Sequence, residues 1–261
     1  MDGIMWQRAI GFAGRFVLDM VEVSGGLFLL VGRILKQSRM LMRDRRLLLE
    51  QMLLIGVNSL PLVFVIAIFT GAVSAWQAAY QFEDKISLSL LGSAVSTAIF
   101  IELGPVLTAV ILAGRVGASI AAELGTMKVT EQIDALESLA INPVRYLAMP
   151  RFFAAMTMTP ILTIFADFIA IVGSYLVSYV LLGLTTHMFF DSVQEAFTLR
   201  SVLGGLLKAL VFGAIISAVG CYIGFRTMGG AEGVGRATIQ AFVLSSTLIL
   251  MNDYILATIV F

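Results

Sequence analysis

Four ionisable residues stand in stretches that are otherwise apolar: Glu102, Asp167, Lys208 and Asp253. A charge in hydrocarbon is costly, so each must face a wet cavity or a partner of opposite sign. Lys208 lies eight residues past Arg200, and Asp253 eight before Phe261. At ~1.5 Å per helical residue both sit roughly 12 Å below one membrane surface. Equal depth and opposite sign predict an intramembrane pair, Lys208 with Asp253, fastening two spans together. Glu102 and Asp167 have no obvious basic partner in the spans. A wet cavity or a neutral carboxyl is expected for each, with a simple polar contact inside the bundle the better reading for Asp167.

Other reactive residue types are scarce. One histidine, His187, excludes a site built on two imidazoles, and one cysteine, Cys221, gives neither an intrachain disulfide nor metal-ligand spacing. There is no G-x-x-x-x-G-K-[ST], so the chain holds no ATP through a P-loop, and neither G-x-S-x-G nor H-E-x-x-H occurs. No catalytic residue, metal or cofactor is expected. Gly229, Gly230, Gly233 and Gly235 lack a following Lys-Ser/Thr and read as a flexible connection between spans rather than a phosphate cradle. Seventeen basic residues balance 17 acidic ones, so nothing favours nucleic acid as a partner.

The elements that must carry these charges are membrane spans. Residues of the set AVILMFWYC make up 59% of 261 and charged residues only 13%, too little polar surface to face water alone. Residues 51–82 carry no charge and exceed the ~20 needed to cross a bilayer, with Pro61 a candidate kink. Further apolar stretches run over 86–123, 152–186, 201–225 and 237–261. The expected fold is an all-α integral membrane protein of five transmembrane helices, with residues 1–50 as an N-terminal segment and 51–261 as the five-span domain.

Fourteen of the 17 basic residues fall in 1–50, in 115–151 and after the fourth span, all on one side of that topology. By the positive-inside bias the N-terminus is cytoplasmic and the C-terminus is outside. Arg8, Arg15, Asp19 and Glu22 share a narrow arc of a helix whose other faces carry Trp6, Ile10 and Val17. This predicts an amphipathic helix lying in the membrane interface; the competing sixth span over 10–32 would bury four charges. Between spans two and three, Val129, Ile133, Leu136 and Ala140 form an apolar stripe, with Thr130 as N-cap, Glu131 and Asp134 in the first turn and Asn142-Pro143 as the stop. That stripe packs either on its own bundle or on a partner protein.

Five elements in order, Glu102-Leu103-Gly104-Pro105, Ala113-Gly114-Arg115, Ala122-Glu123-Leu124-Gly125, Thr130-Glu131-Gln132 and Asn142-Pro143, resemble the MlaE-like permease family, the membrane subunits of lipid ABC transporters that work with MCE-domain proteins. The match is densest over 102–153. The resemblance implies a homodimer in the inner membrane of a Gram-negative-type bacterium, cytosolic ATPases that carry ATP and Mg, and a periplasmic MCE assembly exchanging phospholipid with the dimer cavity. It leaves room for a small regulatory subunit. It also implies that the segment around 129–141 is a cytoplasmic coupling helix, with Glu131, Ile133, Asp134 and Leu136 at the ATPase. Some relatives have a basic residue where this chain has Ile101, so any headgroup contact by that charge passes to another residue.

An acid followed by Pro105 at membrane depth needs protein or a cavity beside the backbone. Across a dimer axis, Glu102, Leu103, Pro105 and Leu107 are expected to line a lipid cavity with Val65, Phe69, Leu244 and Leu248. The competing function is a stand-alone, proton-coupled secondary transporter using Glu102, Asp167 or Asp253, which would call for an internal repeat that the hydropathy does not display.

Overall fold

The computed structural model describes residues 2–41, 43–82 and 87–260, except for the side chains of 2–17, 19 and 20. Among these residues the chain is helical throughout, with no strand. Helices α1 (Asp2–Gln37) and α2 (Arg45–Ile55) lead into α3 (Leu60–Phe82). A broken helix follows: α4 (Leu91–Ala98), a π turn (Ile99–Leu103), α5 (Gly104–Leu112), a second π turn (Ala113–Gly117) and α6 (Ala118–Val129). The short α7 (Gln132–Ser138) and a third π turn (Val144–Ala148) precede α8 (Met149–Val180), α9 (Thr186–Ala196), α10 (Leu199–Phe225) and α11 (Gly230–Val260).

Five helical stretches are long and apolar enough to cross a membrane: Arg45–Phe82, Leu88–Val129, Val144–Val180, Leu199–Phe225 and Gly230–Val260. The first begins before Gln51, because α2, which carries Arg45, Arg46 and Glu50, runs on toward α3 as one helical stretch. The α geometry of that stretch is interrupted just ahead of Pro61, at Gly56 and a 3-10 turn, Val57–Ser59. Pro61 itself stands in the first turn of α3, where its missing N–H has no helical partner to lose. The glycine-rich connection is also more ordered than expected. Gly229 and Gly230 take positive φ, but Gly233 and Gly235 already lie in α11, with Gly233 against the Met228 carbonyl.

Packing of spans one and three rests on small residues. Gly71 of α3 lies on the Ala170 carbonyl of α8, and Gly173 of α8 on the Ile68 carbonyl of α3. A Cβ at either glycine would overlap that backbone, so the helices approach at a distance only glycine permits. Span four, α10, is the most buried and α11 the least. The inner face of α11 is Ala237, Ala241, Ser245, Ile249 and Asp253, an i, i+4 row, while Ile239, Val243, Leu250 and Tyr254 are exposed. Such an apolar outer face is stable in lipid or against another chain.

Helix α1 buries Leu30 and Ile34 on the bundle and leaves Leu18, Val21 and Phe28 exposed. The side chains of Arg8, Arg15 and Asp19, three members of the expected charged arc, lie outside the described residues. The fourth, Glu22, pairs with Arg226 at the end of α10. Helix α9 was not anticipated: it is short and amphipathic, with Thr185 accepting from the Met188 N–H as its cap. Phe189 is buried, and Ser192 Oγ accepts from the Ser93 N–H at 2.9 Å, so α9 holds the first turns of α4.

Candidate substrate and coupling sites

The break in span two sets the geometry of the charged residues. A π turn holds one residue beyond the α register, which opens the helix and re-aims the side chains that follow. Pro105 sits in the first turn of α5, where it donates no hydrogen bond and lies against Gly205 of α10. Within this turn Glu102 points to Lys208. The fully buried Lys208 Nζ stands 2.8 Å from Glu102 Oε2, 2.8 Å from Asp253 Oδ1 and 3.2 Å from the Ile101 carbonyl.

Lys208 and Asp253 therefore meet, and Glu102 meets them. The expectation that Glu102 lacks a basic partner is corrected. Counting along helices, Glu102 lies roughly 21 Å from the start of its span and Lys208 roughly 13 Å from the start of α10. That mismatch hid the contact, because span two is interrupted by a π turn and its first turns, Leu91 and Val95, pack on α3 as well as beside α9. The node is polar at one edge only: the Glu102 side chain is 46% exposed, whereas Asp253 is nearly enclosed.

Asp167 of α8 reaches the same break from another helix. It is buried, its Oδ1 has no hydrogen-bond partner, and it lies so close to Gly104 that a Cβ there would overlap the carboxyl oxygen. Leu103 and Leu107 line an adjacent crevice with Val63, Ala67 and Ala170. Its volume, about 20 Å³, admits about one water and no acyl chain.

Within one chain the eight expected cavity residues are not gathered. Leu103 and Leu107 turn toward α3 and α8, while Glu102 turns toward α10 and α11. Val65 and Phe69 lie on the outer side of α3, Phe69 at 66% exposure, because the inner row is Val63, Ala67 and Gly71. Leu244 and Leu248 flank the buried row of α11 and are half-buried.

The segment between spans two and three is shorter than 129–141. Thr130 ends α6, with its hydroxyl donating to the Thr126 carbonyl, and Glu131 takes a left-handed conformation before α7. Helix α7 closes at Ser138, before Asn142. Asn142 Oδ1 instead accepts from the N–H groups of Val144 and Arg145, capping the next helical stretch. Ile133 is 4% exposed and belongs to the bundle core, with Leu136 packed against it. Glu131 and Asp134 are exposed, Asp134 pairing with Lys128 at 2.7 Å, and the outward apolar residue is Leu139 at 72% exposure.

Four polar anchors of this end escaped sequence reasoning. Arg145 grips Asp44 through two hydrogen bonds, of 2.9 and 3.1 Å. Arg151, buried, pairs with Glu123 at 2.6 Å and donates to the Leu147 carbonyl. Arg115, in the second π turn, donates to Ser59, just ahead of α3 within span one. Arg226 carries Glu22 and bonds the Tyr222 hydroxyl. The signal was present as basic residues near span ends, but their partners lie up to 204 positions away in the chain.

The sequence profile of the family described as "Permease MlaE" matches residues 48–259. A probable ABC transporter permease protein of Rickettsia typhi is 44% identical over 215 residues, 82% of this chain and 83% of that one. A probable ABC transporter permease protein of Synechocystis is 40% identical over 234 residues, 90% and 89% of the two chains. The intermembrane phospholipid transport system permease protein MlaE of Haemophilus influenzae is 32% identical over 254 residues, 97% of each. With its five apolar helices, the chain belongs to the MlaE family of membrane permeases.

Proposed function

We propose that two copies of this chain form the membrane core of an ATP-driven transporter that moves phospholipid between the inner membrane and a periplasmic MCE-domain carrier. The observation that carries this reading is the Glu102–Lys208–Asp253 node, held at a helix break with one carboxylate half open. A buried ammonium with two carboxylates supplies a polar rim at membrane depth, and the exposed apolar faces of α3 and α11 supply surface for acyl chains once a second copy stands opposite. The Haemophilus relative is named for intermembrane phospholipid transport, the same substrate class. In this reading residues 51–261 are the permease domain and 1–50 an interfacial arm. The basic end is cytoplasmic, and the C-terminus is periplasmic. Lys208, through the Ile101 carbonyl, takes the place of the positive charge that some relatives carry at that position.

ATP and Mg belong to a separate cytosolic ATPase, with room for a small regulatory subunit on it. The ATPase docks on the exposed side of the α7 segment through Glu131, Asp134 and Leu139, while Ile133 and Leu136 transmit the push to the bundle that encloses them. Leu139→Asp leaves the fold within about 0.5 kcal/mol, since the residue is exposed, and abolishes co-purification of a P-loop ATPase. Retained ATPase in that variant would refute the docking surface. For the cavity, Val65→Trp and Leu248→Trp block lipid loading with ATPase assembly intact. Photo-crosslinks from bound lipid that never form near Glu102 would sink the lipid-cavity reading.

The unpartnered Asp167 oxygen favours one second reading, a proton-coupled transporter. Transport that survives ATP depletion and stops with a proton uncoupler selects it.

A further inference from the structure

At the basic end of the bundle, α1, the α7 segment, the Asn142–Arg145 turn and the end of α10 enclose a groove of about 1210 Å³. Six cations line it, Arg33, Lys36, Arg39, Lys128, Arg145 and Arg226, against one acid, Glu137. Three of the six are satisfied by the protein: Lys128 by Asp134, Arg145 by Asp44 and Arg226 by Glu22. Arg33, Lys36 and Arg39 are exposed, and among the described residues none has an acidic partner. Arg33 and Lys36 lie one helical turn apart on α1, where like charges repel unless an anion stands between them. Counting the three paired acids with the lining, the groove keeps a net positive charge.

Its walls are not simply polar. Leu29, Leu30, Ile133 and Phe225 also line the groove. Leu29 continues into the exposed apolar face of α1, where Phe28 is 79% exposed. A small soluble anion uses the cations and leaves that strip idle, and an acidic protein segment does the same. A phosphate ester joined to acyl chains uses both.

We propose that this groove binds the phosphate headgroup of an anionic glycerophospholipid from the leaflet at the basic end, with Arg33, Lys36 and Arg39 on the phosphate and the Leu29–Phe28 face against the acyl chains. The lipid then bridges α1 to the segment that carries α7. This inference rests on membrane placement alone and holds whether or not the chain moves lipid.

The test is retention of phosphatidylglycerol by the full-length chain, counted by native mass spectrometry after extraction from mixed phosphatidylglycerol–phosphatidylcholine bilayers. A cation near an anionic surface contributes about fivefold, so the Arg33→Gln/Lys36→Gln/Arg39→Gln variant should bind phosphatidylglycerol about 100-fold more weakly. All three positions are exposed, so the variant keeps its fold. The control variant Arg43→Gln/Arg46→Gln/Arg236→Gln removes as many cations outside the groove and should bind as the parent does. Equal loss in the control overturns the site in favour of diffuse attraction, and equal retention of phosphatidylcholine overturns the anionic requirement. Displacement of the lipid by millimolar inorganic phosphate makes it a soluble-anion site and overturns the lipid. Unchanged phosphatidylglycerol with lost ATPase co-purification makes the groove a protein surface and overturns the proposal as well.

Discussion

Glu102 and Asp167 approach the same break in span two from different neighbours, and the protein treats them in opposite ways. Glu102 shares a buried ammonium with Asp253 and keeps an open edge. Asp167 is enclosed, with one oxygen unpartnered and a glycine in the place where a side chain would collide with it. The first arrangement is electrostatic: three groups hold one another, and removing one exposes the others. The second is steric: the carboxyl occupies a shape, and its surroundings make no use of its charge. Two acids near one another in space thus belong to different kinds of site, and only the first offers a polar surface to a ligand.

The contrast is sharpest at Lys208. Lys208→Met leaves two carboxylates facing each other without a counter-charge and should cost about 3–5 kcal/mol, read as a loss of thermal stability in detergent. Adding Glu102→Gln and Asp253→Asn should recover most of that loss. Asp253→Asn alone should cost less than Lys208→Met, since a Lys208–Glu102 pair survives. A Lys208→Met/Asp253→Asn double variant that loses as much as the two single variants added together would mean that Lys208 and Asp253 act independently.

Gly104→Ala comes next. Its Cβ enters the space of the Asp167 carboxyl, an overpacking worth about 1–3 kcal/mol. Asp167→Ala empties that space, so the double variant should be more stable than Gly104→Ala alone. A double variant no better than the single would show that Gly104 is needed for the backbone of the break and not for Asp167. The smallest effect belongs to Asp167→Asn. It keeps the shape and removes a costly buried charge, so stability should stay within about 1 kcal/mol or rise. A large loss would move Asp167 to the electrostatic class with Glu102.

The spans were legible because the apolar runs are long and the charges few, and the five stretches need only length and hydropathy to be found. The Lys208–Asp253 contact was legible because both spans are unbroken helices, along which depth can be counted. Glu102 was not, because its span is interrupted by a π turn, through which depth cannot be counted straight. Of the expected stripe only Ile133 and Leu136 share α7, since Val129 ends α6 and Ala140 lies beyond Ser138, and periodicity cannot say what covers an apolar face. The structure places the bundle against Ile133 and Leu136 and leaves Leu139 outward. Asp44, Ser59 and Glu22 carried no local signal, since their significance comes only from arginines distant in the chain.

The two π turns around α5 make the number of residues between Ile99 and Gly117 a structural quantity in its own right. Each turn carries one residue more than an α turn, which amounts to about 100° of rotation for everything beyond it. Deleting a single residue from 99–103 would allow a regular helix to close there and would swing Glu102 away from Lys208 without changing any side chain. At this point in the chain the count is as much a part of the site as the chemistry, and an insertion or deletion is a more drastic change than most substitutions.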